Sequence, residues 1–316
     1  MSTPQLTFVL LTPDNYETVG TTVACVARDP RSREVELLIV IENPENLNAD
    51  PQATEGFHSL QVLQTPISSG SGAARAAAVR VATAPIVVFG EDHCFPQDGW
   101  IDALVRAYAE PYAAVGPVVT NANPSNLVSW ADLLMGYGPW LAPGRSKETE
   151  HLPGHNSSYR KDVLLTIDED LAEMFEAESA MHWRLRSLGH RLYQESNARV
   201  AHTNFDQWGV WLRVSYHAGR VFADTRALHW SRVHRLAFAI ASPLVPFVRL
   251  WRHLRQAIEA GLPLSLVARV APVLTIGLIA NAAGQCIGAA AGPGNSRATL
   301  VEWDFHRNVP RERATA

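Results

Sequence analysis

Short, largely apolar runs that alternate with helical patterns restrict this chain's fold more than any other feature. The runs are Leu6 to Leu11, Val35 to Ile41, Leu60 to Leu63, Ile86 to Phe89 and Ala113 to Val119. Between them, Tyr16 to Arg28 places Val19, Val23 and Val26 near helical spacing. An Ala-rich stretch follows Gly72, and Gln97 to Ala109 is again helical in pattern. Apolar runs that do not alternate with polar residues are the mark of strands buried on both faces. Strand and helix in turn therefore predict an α/β fold with a mixed, mostly parallel sheet flanked by helices. In such sheets ligands bind at the carboxyl ends of the strands. Those ends carry Thr12-Pro13-Asp14-Asn15, Glu42-Asn43-Pro44 and Glu91-Asp92-His93.

The stretch from Ser68 to Trp100 concentrates the chemistry. Ser68 to Gly72 is a small, Gly-rich loop that opens the Ala-rich helix, Pro85 breaks that helix, and the apolar run Ile86-Val87-Val88-Phe89 leads into Glu91, Asp92 and His93. Small residues let a backbone approach an anion closely, and a helix start favours negative charge. Acids and imidazole at a strand end suit a divalent cation. Together they imply a nucleotide diphosphate held through a metal. The same residues also suit a plain βαβ turn with solvated acids, and spacing alone leaves both readings open. Glu42 at its strand end is equally open between a base or ribose contact and a solvated loop acid.

Further along, Leu127 to Tyr137 predicts a half-buried helix. Ala142 to Ser157 predicts a long polar loop, ending in Gly154-His155-Asn156-Ser157 before a short helix from Tyr159. Asp168 to Leu188 predicts a charged helical region with Phe175, Glu178, His182 and Leu185 on one face and Gly189 as its cap. Arg191 to Gln194 and Ala198 to His202 predict two short strands.

This ordered set resembles the family 2 glycosyltransferases of GT-A fold, over Leu6 to Arg226. Ala74-Arg75-Ala76 resembles the family's Ala-Arg-Asn, and Glu91-Asp92-His93 stands where the family carries Asp-x-Asp, with Pro96 and Trp100 as its usual sequel. Gly154-His155-Asn156 resembles the Gly-x-Asn segment beside the acceptor. Glu178, then Arg184-Leu185 and Gly189, resembles the Glu-Asp, Arg-Leu and Gly pattern, and Ala198 to His202 the closing segment that ends in His. The resemblance implies inverting transfer of a sugar from a nucleotide-sugar donor to an acceptor hydroxyl. It implies Glu178 as catalytic base, and Thr12, Glu42, Ser69, Gly70, Gly72, Arg75 and Asp92 on the donor. Glu91, His93 and His202 would take a divalent metal, and His155 and Asn156 lie on the acceptor side. Four departures stand out. His93 replaces an acid, which shifts the metal preference from Mg²⁺ toward Mn²⁺. The Glu-Asp pair is Ala177-Glu178, and Ala76 replaces the Asn after Arg75. Gln207 to Trp211 lacks the Arg of Gln-x-x-Arg-Trp, which argues against a processive polymerase.

From Leu236 the composition changes. Phe247 to Ala260 sets Arg249, Arg252, His253 and Arg255 beside Trp251 and several Leu and Val, a pattern that suits an anionic membrane face. Val270 to Gly292 has no formal charge and exceeds the about 20 residues that span a bilayer, but Pro272, Asn281 and Gln285 interrupt it. It reads as a spanning or re-entrant helix, an in-plane anchor or a buried cap, and Gly284 and Gly288 form a small-xxx-small pair that permits close helix contact. The expected division is a GT-A domain over 1–226, a membrane-associating helical region over 227–299 and a polar tail over 300–316. It would lie on the cytoplasmic side of the cell membrane, peripheral or anchored, and act on a glycan or lipid-linked acceptor in envelope synthesis.

A net charge of −4 offers no basic field for nucleic acid. Cys25, Cys94 and Cys286 are too few and scattered for a disulfide framework, which predicts a reducing compartment, and the first residues lack the pattern of a secretory leader. The rival readings are a catalytically silent nucleotide-sugar binder, a nucleotidyl transferase and a membrane-attached interaction module. Absence of Lys from Ser68 to Gly72 disfavours the nucleotidyl transferase, and the interaction module leaves loop, triplet and acid unexplained.

Overall fold

The computed structural model describes residues 3–13, 15–49, 51–67, 71–176, 178–227 and 230–305. In chain order the elements are β1 Leu6–Thr12, α1 Tyr16–Ala27, β2 Val35–Ile41, α2 Pro51–Thr54, β3 Ser59–Gln64, α3 Ser71–Val81, β4 Ile86–Phe89, β5 Cys94–Pro96, α4 Trp100–Ala107 and β6 Ala114–Asn121. Then follow α5 Leu127–Tyr137, β7 Lys147–Thr149, β8 Ser158–Arg160, α6 Lys161–Leu165, α7 Leu171–Phe175, α8 Glu178–Ser187 and β9 Leu192–His202. The chain closes with α9 Trp208–Arg226, α10 Arg232–Ala241, α11 Val245–Glu259, α12 Leu264–Ala291 and α13 Ser296–Phe305. Two compact units result: residues 1–120 with 142–202, and residues 121–141 with 203–316. The sequence reading carries the first domain on to residue 226, whereas α9 groups with the C-terminal helices.

The first unit is built on a nine-stranded sheet of order β3-β2-β1-β4-β8-β6-β9-β5, with β7 paired to β9. β3, β2, β1 and β4 run parallel, and their apolar runs make the core: β1, β2 and β4 are buried along their whole length. β8 is antiparallel to both β4 and β6, and β9 is antiparallel to β5 and β7. This mixed sheet flanked by helices is the α/β architecture of GT-A type that the sequence implied. α1 begins at Asn15, whose side chain accepts from the Glu17 amide, an N-cap that fixes the turn after β1.

Four local expectations change. The loop from Ala142 holds β7, and Tyr159 lies in β8 rather than in a helix, because a three-residue strand is too short to display a period. The charged region from Asp168 divides into α7 and α8. The two strands expected near residues 191–202 are one strand, β9, whose polar middle faces outward while Leu192, Gln194, Ala198, Val200 and His202 are buried.

In the second unit α12 is the central helix, packed against α5, α9, α10 and α11. Its polar residues are partnered: Asn281 Nδ2 donates to Ser215 O at 2.9 Å, and Gln285 Nε2 donates to Asn281 Oδ1 at 2.7 Å. Gly284 and Gly288 bring α12 close to α9, since a Cβ on either would collide with the backbone oxygen of Tyr216 or Arg220. The stretches Arg232–Glu259 and Leu264–Ala291, 28 residues each, are long and apolar enough to cross a membrane by length and composition.

His253 on α11 is buried, and burial, then Arg249 and Arg252, push its pKa from 6.5 down to about 3. The unfolded chain therefore takes up this proton first. Its stabilising effect is complete above about 6.5 and is lost as the pH falls toward about 3. Acidification from about pH 7 to about pH 5 is expected to cost about 2 kcal/mol through this residue. Thermal unfolding at the two pH values, compared between the native chain and His253→Gln, measures it: the variant should lose less stability on acidification.

Candidate active site

The sheet's register assembles the site. β1 pairs in parallel with β2 through Thr12↔Ile41 and with β4 through Val9↔Phe89, so Thr12, Glu42 and Glu91 come to one edge, the carboxyl edge. From the other side β5 and β9 pair with Cys94 opposite His202, which sets the His202 ring against His93 at 4.9 Å between centroids. The β4–β8 ladder continues past its last register pair: the Asn156 amide donates to Phe89 O at 2.7 Å. Asn156 takes a left-handed φ of 61°, a conformation Asn tolerates better than most residues, and this turn carries His155 and Asn156 to Glu91.

Glu91 is the hub and is buried. Its Oε1 lies 3.4 Å from His93 Nε2 and 3.1 Å from His155 Nδ1, and its Oε2 lies 3.7 Å from His202 Nε2 and accepts from Asn156 Nδ2 at 3.3 Å. Burial alone would raise the Glu91 pKa. The charges of His155, His93 and His202, with the His93 hydrogen bond, outweigh it and hold the carboxylate well below its usual range. Asp92 Oδ1 sits 2.5 Å from His93 Nδ1, a carboxylate–imidazole pair that fixes the ring with Nε2 toward Glu91. Thr22 Oγ1 donates to the carbonyls of Glu91 and Asp92 at 2.9 and 3.1 Å and holds the turn from α1. Glu91, His93 and His202 can present one ligand atom each within 4.8 Å of one another. One carboxylate with two imidazoles fits a divalent transition ion such as Mn²⁺ better than Mg²⁺, which prefers oxygen alone.

Around this hub the other sequence candidates separate. Arg75 is buried, and its Nη2 lies 3.0 Å from His155 Nδ1 while Nη1 donates to Phe175 O at 3.4 Å, at the end of α7. Gly72 N donates to Glu176 Oε1 at 2.6 Å, so the start of α3 faces a carboxylate. Glu42 Oε1 accepts from the Ile67 amide at 2.5 Å, and Thr12 Oγ1 donates to Asn15 O. Ser69 and Gly70 lie outside the described residues. Glu178 opens α8, three residues beyond Phe175; its side chain is outside what is described. His182 is buried against Tyr159, whose hydroxyl is 3.0 Å from Nε2. His155 and Asn156, read from sequence as acceptor-side, touch Glu91 directly. Thr22 was not singled out by sequence: a lone Thr in a helix carries no signal of the contact it makes across the fold.

Residues 12–167 match the family described as "Glycosyl transferase family 2". Over these residues the chain is similar to a family 2 glycosyl transferase domain. Two curated relatives, both pre-mycofactocin glycosyltransferases of Mycobacterium tuberculosis (strains CDC 1551 / Oshkosh and ATCC 25618 / H37Rv), are 26% identical over 191 residues. That stretch is 58% of this chain and 41% of the relatives, so the chain spans about two-fifths of their length. Among solved structures, a mannosyltransferase from Pyrobaculum calidifontis in complex with GDP-Man and Mn²⁺ aligns over 99% of this chain and 83% of its own, at 16% identity and a TM-score of 0.49. S. aureus TarS 1-349 aligns over 95% and 90%, at 16% identity and a TM-score of 0.47. The match to the family 2 domain takes in the Glu91 hub, Arg75, His155 and Asn156 and stops before Glu178 and His202.

Proposed function

We propose that this chain is a metal-dependent glycosyltransferase that moves a sugar from a nucleotide-sugar donor to an acceptor hydroxyl with inversion. The observation that carries the reading is the buried Glu91, with two imidazoles beside it at the carboxyl edge of a family 2 domain. Glu91, His93 and His202 would hold the ion, which when bound supplies Lewis-acid stabilisation of the diphosphate leaving group. Thr12 and Glu42 stand at the same edge for the nucleoside. Arg75 and the loop through Ser69, Gly70 and Gly72 position the diphosphate, and the carboxylate on the Gly72 amide supports an anion-receptive helix start. Asp92 holds the His93 ring. Glu178 takes the proton of the attacking hydroxyl, and its place just past the carbonyl that Arg75 bonds supports this role. Asn156 and His155 order the edge on which the acceptor enters.

The acceptor is a glycan or lipid-linked hydroxyl used in envelope synthesis. The helical unit lies on the cytoplasmic face of the membrane as an in-plane anchor. Support comes from α10 and α11, where Val233, Ile240 and Phe247 are 78%, 72% and 72% exposed beside Arg232, Arg252 and Arg255. A thermal-shift screen of nucleotide sugars with and without Mn²⁺ tests the enzyme reading: one donor should raise the melting temperature, and more so with the ion. No stabilisation by any donor in either condition would sink it.

A further inference from the structure

The helical unit contains a cavity of about 540 Å³ between α5, α9, α10, α11 and α12. Its walls are largely apolar, with Phe222 and Phe238 among them, yet Arg226, Arg249 and Arg252 also line it. Arg249 Nη1 donates to Asn281 Oδ1 at 2.6 Å, while its buried Nε has no partner among the described residues. Arg226 lies over the Phe238 ring at 5.5 Å. None of the three arginines forms an ion pair with a carboxylate among the described residues. Asp132 lines the cavity too, but Oδ1 accepts from Trp211 Nε1 at 3.1 Å and Oδ2 from the Phe205 amide at 2.9 Å. Burial and then the neighbouring Arg252 push the Arg249 pKa down to about 10, so it is charged at neutral pH, and no carboxylate among the described residues forms an ion pair with it.

We infer that this cavity binds a lipid phosphomonoester, its phosphate on Arg249, Arg252 and Arg226 and the start of its chain along Phe222 and Phe238. Guanidinium groups bind phosphate oxygens in a planar fork, and a monoester carries up to two negative charges where a diester carries one. Apolar walls select an anion with a hydrocarbon chain over a free one. The site deepens the membrane part of the proposed function and rests on that reading, since Arg252 serves both while the exposed Val233, Ile240 and Phe247 belong to the anchor alone.

The test uses the full chain and vesicles of phosphatidylcholine containing either phosphatidic acid or phosphatidylglycerol, read by flotation. Phosphatidic acid vesicles should bind roughly tenfold more tightly, and Arg249→Gln and Arg252→Gln should each remove most of that preference. Inorganic phosphate should not compete. Arg249→Lys keeps the charge and should keep part of the preference, and Arg252, being exposed, can be changed without threatening the fold. Equal binding to the two anionic vesicles, a preference untouched by both variants, or full competition by inorganic phosphate would each overturn the site. Equal, tight binding to both would still leave the membrane anchor standing. Donor release by the sheet-built unit, assayed without vesicles, separates both from the transferase reading and should be unchanged in Arg252→Gln.

Discussion

Glu91→Gln is expected to lower sugar transfer by roughly a thousandfold. The carboxylate is the one anionic oxygen donor among the three candidate ligands, and it also draws His155 and Asn156 to the edge. Glutamine matches its shape but presents an amide that carries no charge. A ligand whose loss removes several kcal/mol of charge stabilisation costs about that factor in rate. Asp92→Asn should be milder, at about 10- to 100-fold, because Asp92 acts through the His93 ring rather than on the ion. The two effects also differ in kind. Glu91→Gln should abolish Mn²⁺ binding followed by electron paramagnetic resonance, whereas Asp92→Asn should weaken it and leave it measurable. Transfer at the native rate by Glu91→Gln, under conditions where the native chain requires Mn²⁺, would falsify the assignment of Glu91 as a ligand.

The contrast between β4 and β8 shows what a sequence of this kind discloses. Ile86 to Phe89 announces itself, because a buried parallel strand is apolar at every position and needs no partner to be recognised. β1 and β2 are apolar but for Thr7, Thr12 and Glu36, and so the carboxyl edge with Glu42 and Glu91 is legible. Ser158-Tyr159-Arg160 announces nothing: it is three residues long, and only pairing with β4 and β6 makes it a strand. That pairing is what brings His155 and Asn156 within reach of Glu91. His202 was legible as a candidate from its place in an ordered set of motifs. The reason it meets His93, the antiparallel register that puts Cys94 opposite it, is set by strands far apart in the chain. In the helical unit the glycine pair was legible, but the Arg249–Asn281 bond was not, since those residues lie 32 positions apart on two different helices.

Gly284→Val is expected to destabilise the helical unit by about 3 kcal/mol or more, among the larger effects of a single substitution. Overpacking is tolerated when a flexible side chain can turn aside. Here the obstacle is backbone: a Cβ at Gly284 meets the Tyr216 carbonyl oxygen and the Arg220 amide, and at Gly288 it meets the Arg220 carbonyl oxygen. The approach is reciprocal, since a Cβ at Gly219 of α9 meets the Asn281 carbonyl oxygen of α12. Room for valine therefore requires the two helices to move apart. That would also loosen the Trp211 ring from Gly277 and break the Asn281–Ser215 hydrogen bond. Gly136→Ala is the matched control. It lies inside α5 with nothing within 4 Å of the new Cβ, so it should gain about 0.5 to 1 kcal/mol from helix propensity alone. Denaturant unfolding of the full chain, followed by tryptophan fluorescence, reads both changes. Native-like stability of Gly284→Val would mean that α9 and α12 are not held at this distance. A loss confined to Gly284→Val would show that the small residues of α12 serve helix packing along this face.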